Sequence, residues 1–263
     1  MNIVVFSKDR AMQLELFIRS FNKYVKNSSE YLIKILYTCS NNEFKNGYEK
    51  LIAESEENVL WKKEENFKVD LINLMNKYDA YTVFFVDDIV FKNPIDFNDN
   101  QQKVFEHDTD ILCRSLRLQP NFKYSYASKD AMTNPDYLEH NVYFWKGKSG
   151  DYGYPMSVDG HIYRTNQIYP YVLNLPYTNP NSFEGNMAIR PLNLPKMVCY
   201  DKSIIVNNPC NKVQTNNPNR YGNISAEYLN GEFLKDYIID LEPFKHLNNE
   251  SCHKEISITL IKK

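Results

Sequence analysis

Asp87 and Asp88 stand side by side at the end of the most strand-like run in the chain, Tyr81-Thr82-Val83-Phe84-Phe85-Val86. Two adjacent carboxylates repel each other. A hard divalent cation such as Mn2+ or Mg2+, which prefers oxygen ligands, relieves that repulsion, and a diphosphate can complete its coordination. The carboxyl ends of strands are also where open α/β sheets bind ligands, so the position adds weight that a random Asp-Asp pair in a turn lacks. Further groups able to do chemistry are Glu184 in Pro180-Asn181-Ser182-Phe183-Glu184-Gly185, Asp159 in Ser157-Val158-Asp159-Gly160-His161, Asp151, and His253 in Ser251-Cys252-His253-Lys254-Glu255. No His/Cys cluster has zinc spacing, and no G-x-S-x-G elbow supports a serine nucleophile.

These residues need a scaffold. The first hundred residues alternate β-branched or aromatic runs with longer amphipathic ones, the signature of βαβ units around a mostly parallel sheet. Strands are expected at Ile3–Phe6, Tyr31–Thr38, Val59–Trp61 and Tyr81–Val86, and helices at Ala11–Tyr24, Asn42–Glu56 and Phe67–Tyr78. Beyond them the alternation fades. Strands are expected at Thr109–Leu116, Tyr124–Tyr126, Ser157–Arg164 and Glu255–Ile261. Helices are expected near Asn166–Leu173, from Phe183 with Asn181 or Ser182 as cap, and from Ser225 to about Lys235, after an irregular Asn- and Pro-rich stretch at Asn207–Asn223.

Composition narrows the classes. The 263 residues are 43% hydrophobic and 24% charged, a globular balance. A formal charge of -2 gives no basic field for a phosphate backbone, so no nucleic-acid partner is expected. Eight glycines with neither G-x-G-x-x-G nor a P-loop argue against dinucleotide and P-loop folds. No apolar run reaches the roughly 18 residues of a membrane span, and the amino terminus turns polar too early for a signal peptide. A cytoplasmic protein is expected, and the five cysteines, an odd set without C-x-x-C, read as reduced, inert thiols.

In the order and spacing of these motifs, mainly over Met1 to about Asn93, the chain resembles glycosyltransferases of the GT-A fold, in particular bacterial family-2-like enzymes that build surface polysaccharides. The resemblance implies an α/β fold with a Rossmann-like nucleotide-binding sheet and a mixed-sheet acceptor-binding lobe. It is expected as one domain over 1–263, with a nucleotide-sugar lobe at 1–95 and an acceptor and catalytic lobe at 96–263. By position, Asp88 matches the metal-binding carboxylate and Asp87 the acid nearer the ribose and sugar. Ile89 departs from the pattern by standing where a last acid would be. Phe6, Ser7 and Arg10 match the loop after strand one that holds the base and ribose, and Lys68 matches a helix start that faces the nucleotide. Glu184 resembles the catalytic base of inverting members, with Asp159 and Asp151 as rivals. His253 matches a second metal ligand supplied near the carboxyl terminus, and His161 has the weaker case.

The implied reaction moves a sugar from a nucleotide-sugar donor, a UDP-sugar being favoured, to a glycan or lipid-linked acceptor, with inversion and with Mn2+ or Mg2+ holding the diphosphate. Inversion needs one carboxylate to take the acceptor hydroxyl's proton while cation and phosphate contacts stabilise the leaving group. The aromatic middle, including Phe122, Tyr124, Tyr126, Tyr143, Trp145, Tyr152 and Tyr154, suits either an acceptor groove or plain core packing. Lipid-linked acceptors keep peripheral association with the inner face of a membrane among the expectations. Two other functions compete. A sugar nucleotidyltransferase needs a Gly-rich first loop, which Ser7–Arg10 is not, and a non-catalytic carbohydrate-binding domain is kept in play by Ile89.

Overall fold

The computed structural model describes residues 1–212 and 220–263. Residues 213–219, inside the stretch expected to be irregular, lie outside them. Strand β1 (Asn2–Lys8) leads to helix α1 (Ala11–Tyr24), then β2 (Ile33–Thr38), α2 (Asn42–Glu54), β3 (Val59–Lys63), α3 (Phe67–Leu74) and β4 (Tyr81–Val86). These strands pair in parallel in the order β3-β2-β1-β4. The central strand β1 is apolar on both faces because both are covered, as a parallel sheet requires. Ile3 and Val5 pack with Phe17 and Phe21 of α1, and Val4 and Phe6 pack on the opposite side with Leu71 of α3. Asn41 caps α2 through the Phe44 N–H, and Asn66 caps α3 through the Val69 N–H.

The second half supplies β5 (Ile89–Phe91), α4 (Asn100–His107), β6 (Ile111–Ser115), β7 (Val142–Phe144), β8 (His161–Arg164), α5 (Thr165–Asn174), α6 (Pro180–Ala188), β9 (Lys196–Cys199), β10 (Ile205–Asn207), α7 (Ala226–Leu234), β11 (Tyr237–Ile239) and β12 (Leu260–Lys262). Four of these strands extend the first sheet to eight, in the order β3-β2-β1-β4-β8-β6-β9-β7. The decisive feature is β8, which runs antiparallel to both β4 and β6. Its amino-terminal approach therefore lies at the same edge as the carboxyl ends of β4 and β6. Residues 151–160, the Asp87-Asp88 pair and Arg117 meet there.

Several expected elements differ. Tyr124–Tyr126 forms a single bridge from Tyr124 to Ala131 instead of a strand. The closing strand covers only Leu260–Lys262, because the preceding residues bond across to β10, with the Lys254 N–H on Asn207 O and the Ile256 N–H on Asn208 Oδ1. Helix α3 stops at Leu74, where the Asn2 side chain accepts the Asn76 N–H and the Asn76 side chain accepts that of Tyr78. Helix α6 begins at Pro180, not Phe183. Asn179 caps it in a reciprocal box with Ser182, and proline suits the first helical position. The expected strand at Ser157–Arg164 is regular only from His161.

Gly160 explains that shortening. It adopts φ +77°, and a Cβ there would lie 2.3 Å from the Ile205 side chain. Its N–H donates to Phe84 O and its carbonyl accepts from Leu116 N, so this turn clamps β4, β6 and the approach to β8. Gly160→Ala adds left-handed strain and a clash, and is expected to destabilise the fold by about 3 kcal/mol. Urea unfolding tests this; a change below about 0.5 kcal/mol, the scale of an ordinary surface substitution, would show that the clamp relaxes freely.

Candidate active site

Asp87 ends β4 facing the first loop, and both of its oxygens are engaged. Oδ1 accepts from Arg10 Nη1 at 2.9 Å, and Oδ2 accepts from Ser7 Oγ at 2.9 Å and the Lys8 N–H at 3.0 Å. Tyr48 Oη lies 2.6 Å from Ser7 Oγ and accepts the Arg10 N–H. Arg10 also donates to Asn211 through Oδ1 and the backbone carbonyl, and its Nη1 lies 3.7 Å from Asp88 Oδ2. Burial alone would lower the Arg10 guanidinium; Asp87 and then Asp88 more than reverse this and hold it above its ordinary value. Burial raises Asp87, with Arg10 opposing. The first loop and the acidic pair thus form one locked unit.

Asp88 turns the other way. Its Oδ1 accepts from Asn207 Nδ2 at 3.0 Å, and its backbone carbonyl accepts the Asn208 N–H. Burial raises its pKa, Arg10 opposes that, and Asp159 adds to it. Asp159 is held close by Arg117, a buried guanidinium that follows β6. Arg117 Nη1 donates to Ser157 Oγ at 2.9 Å and Asp159 Oδ2 at 3.2 Å, and Nη2 donates to Asp151 Oδ1 at 2.7 Å. Ser157 Oγ in turn donates to Glu184 Oε1 at 2.8 Å, which also accepts the Val158 N–H at 3.0 Å. Four carboxylates, Asp88, Asp151, Asp159 and Glu184, therefore share one edge of the sheet, with Arg117 among them and Arg10 beside Asp88.

The field of that cluster sets the titration. Burial lifts Asp159 to about 7, against the pull of Arg117 and with the repulsion of Glu184 and Asp151 added. Burial also raises Glu184, and its bonds from Ser157 and Val158 oppose the rise. His253 Nε2 lies 3.8 Å from Asp159 Oδ2, its ring stacked on Tyr126. Burial and the Arg117 charge hold His253 down to about 3, so it is a neutral imidazole. His161 is buried with Nδ1 on the Pro155 carbonyl, and burial likewise lowers it to about 3.

The structure brings Ser7, Arg10, Asp87, Asp88, Asp159, Glu184 and His253 to this edge and places two expected residues elsewhere. The Phe6 ring is buried between Phe67 and Phe84, so it fills core and does not face a ligand. The Lys68 amine donates to the Leu175 carbonyl and lies over the Tyr177 ring, tying α3 to the chain after α5. Glu184 lies in the second turn of α6, not at its start. The aromatic middle is mostly core: Phe122, Tyr126, Tyr143, Trp145, Tyr152 and Tyr163 are buried. Arg117 and Asn207 were missed. Arg117 follows a strand end as Asp87 does, a signal available in Ile111–Arg117; Asn207 has none.

Asp88 and Asp159 remain 14% and 15% exposed, so their edge is open to solvent. Among the described residues, no three His, Cys, Asp or Glu side chains are gathered as around an ion. A groove of about 690 Å3 lies between the loops after β1 and β2 and the segment leading into α7, lined by Asp9, Ser40, Phe44, Asn211, Tyr221 and Ser225 among others. All five cysteines are unpaired. No helix among the described residues is long and apolar enough to cross a membrane.

No protein-family model matches the chain. In an alignment of 229 residues that covers 76% of this chain and 29% of the relative, it is 32% identical to the bifunctional glycosyltransferase pgtA of Dictyostelium discoideum. Among solved structures it is similar to S. aureus TarS, at 12% identity and a TM-score of 0.49 over 78% of this chain and 36% of that one. TarS 1-349 in complex with UDP-GlcNAc gives 13% and 0.48, over 78% of this chain and 58% of that one. The bifunctional glycosyltransferase WbbM gives 15% and 0.37, over 71% and 37%. The sequence relationship spans less than a third of pgtA, so it shows likeness to part of a glycosyltransferase, in agreement with the resemblance drawn from the motifs, in a chain built on a large mixed α/β sheet.

Proposed function

We propose that the chain transfers a sugar from a nucleotide-sugar donor to a glycan or lipid-linked glycan acceptor with inversion. The observation that supports this most is the convergence of Asp88 and Glu184, from separate halves of the sequence, on the edge organised by Arg117. The groove lined by Asp9, Ser40 and Asn211 has the volume of a small-molecule site and suits the nucleoside, and Arg10, bonded to Asn211 of that lining, brings a guanidinium that suits phosphate. Glu184 acts as base. Both of its bonds from Ser157 and Val158 fall on Oε1, so Oε2 is the oxygen that can take the acceptor's proton.

The donor set fits a hard divalent cation. Asp88 and Asp159 offer carboxylate oxygens, His253 offers a neutral nitrogen, and Mg2+ or Mn2+ commonly takes only one or two carboxylates beside substrate oxygens and water. Asn207 Oδ1, buried beside Asp88 without a hydrogen-bond partner, is a further oxygen there. A cation so held would offset charge developing on the leaving diphosphate. Asp88, with His253, would hold it.

The test is release of nucleotide from a panel of UDP-, GDP-, CMP- and dTDP-sugars, UDP-sugars first, with Mn2+ and with EDTA. One donor is expected to turn over only with metal, and Asp88→Asn is expected to abolish its metal-dependent binding. Release from none of them, with glycans still bound, would make the chain a carbohydrate-binding domain; unchanged donor affinity in Asp88→Asn would remove the metal from Asp88.

A further inference from the structure

Ile89 stands where the acidic pair would continue, and the residue directly across from it on the paired strand β10 is Asn207. The backbone there is pinned from two sides. Asn207 pairs with β5, its N–H donates to Cys252 O, and its carbonyl accepts the Lys254 N–H, which sets it beside His253. The residue is 1% exposed, and its Nδ2 donates to Asp88 Oδ1 at 3.0 Å. Its Oδ1 has no hydrogen-bond partner. A buried carbonyl without a donor costs about 1–3 kcal/mol, and such atoms call for a partner from outside the chain, a water or an ion.

We propose that Asn207 is a cation-site residue, its carbonyl oxygen Oδ1 ligating the ion beside Asp88 in place of the acid that Ile89 lacks. The proposal rests on the cation-dependent transfer described above and adds a ligand to it. Charge favours an amide at this point. Asp88 and Asp159 already bring two carboxylates to this point, and a third would add like-charge repulsion, whereas an amide adds an oxygen ligand without charge. Hard divalent cations accept amide carbonyls alongside carboxylates.

The experiment follows Mn2+ binding by the whole chain through loss of the free-ion EPR signal, without nucleotide. Asn207→Leu, close in volume and without an oxygen, is expected to weaken Mn2+ binding by roughly tenfold or more, while Asn207→Asp keeps it near the native value. Native affinity in Asn207→Leu, or no Mn2+ binding by the native chain, overturns the proposal. A readout on the native protein guards against a variant that fails to fold: with 15N-labelled asparagine, the Asn207 side-chain amide resonance is expected to move on Mg2+ titration, and saturation by Mg2+ with that resonance unmoved also overturns it. The transferase reading fails separately. A chain that binds Mn2+ through Asn207 yet releases nucleotide from no donor keeps this site and loses the activity, whereas full turnover in EDTA keeps the activity and overturns the site.

Discussion

Glu184→Gln is expected to bind the donor with native affinity and to lose roughly 10²–10⁴ in kcat, the usual contribution of a positioned general base. The substitution is suited to the site because the amide keeps an oxygen at Oε1 to accept from Ser157 Oγ and the Val158 N–H, so α6 stays docked on the loop before β8. What it removes is the ability to take a proton. Burial has already raised Glu184, which brings its basicity closer to that needed at neutral pH, and the native kcat is therefore expected to rise with pH as Glu184 ionises. That limb should vanish in Glu184→Gln. Asp159, lifted to about 7, is the rival. Full turnover in Glu184→Gln together with its loss in Asp159→Asn would transfer the role to Asp159.

The legible parts of this protein were those whose physics is local. Ala11–Tyr24 was readable as a helix to the residue because one amphipathic face packs against a sheet, and Tyr81–Val86 was readable as a strand because both of its faces are covered. The acidic pair followed from that strand's end. The rest of the site depends on β8 entering the sheet antiparallel between β4 and β6, a pairing that joins residues about 80 positions apart and leaves no periodic trace. Asp159 and Glu184 could therefore be named as acids but not placed against Arg117. Asn207 was invisible for the same reason, since its meaning comes from lying opposite Ile89. Phe6 and Lys68 were misplaced in the opposite sense. Their positions matched a nucleotide-facing loop and helix, but the Phe6 ring is drawn into core by Phe67 and Phe84, and the Lys68 amine is taken by a carbonyl exposed after α5.

Arg117→Leu should be the most destabilising single change at this edge, on the order of 3–5 kcal/mol at neutral pH, because it leaves Asp151 and Asp159 buried without their counter-charge. The pH dependence separates this charge effect from lost packing. An acid whose pKa is raised in the folded state binds more protons folded than unfolded, so its contribution to stability is fully present below its unfolded value and is lost as pH rises through the folded one. For Asp159 that window runs from 3.8 to about 7 in the native chain. Arg117 is the charge opposing the rise, so its removal pushes Asp159 higher and extends the window upward. The cost of Arg117→Leu is therefore expected to be smallest near pH 4, where the carboxyl is protonated in both variants, and largest above pH 7, where the native cluster is ionised and its arginine is gone. Arg117→Lys should fall between the two, since one ammonium cannot reproduce the fork that reaches Ser157, Asp159 and Asp151 together. Urea unfolding of the three proteins at pH 4 and pH 8 decides it: a penalty equal at both pH values would assign Arg117 to packing, and one that grows with pH would show that its charge holds the buried acids in place.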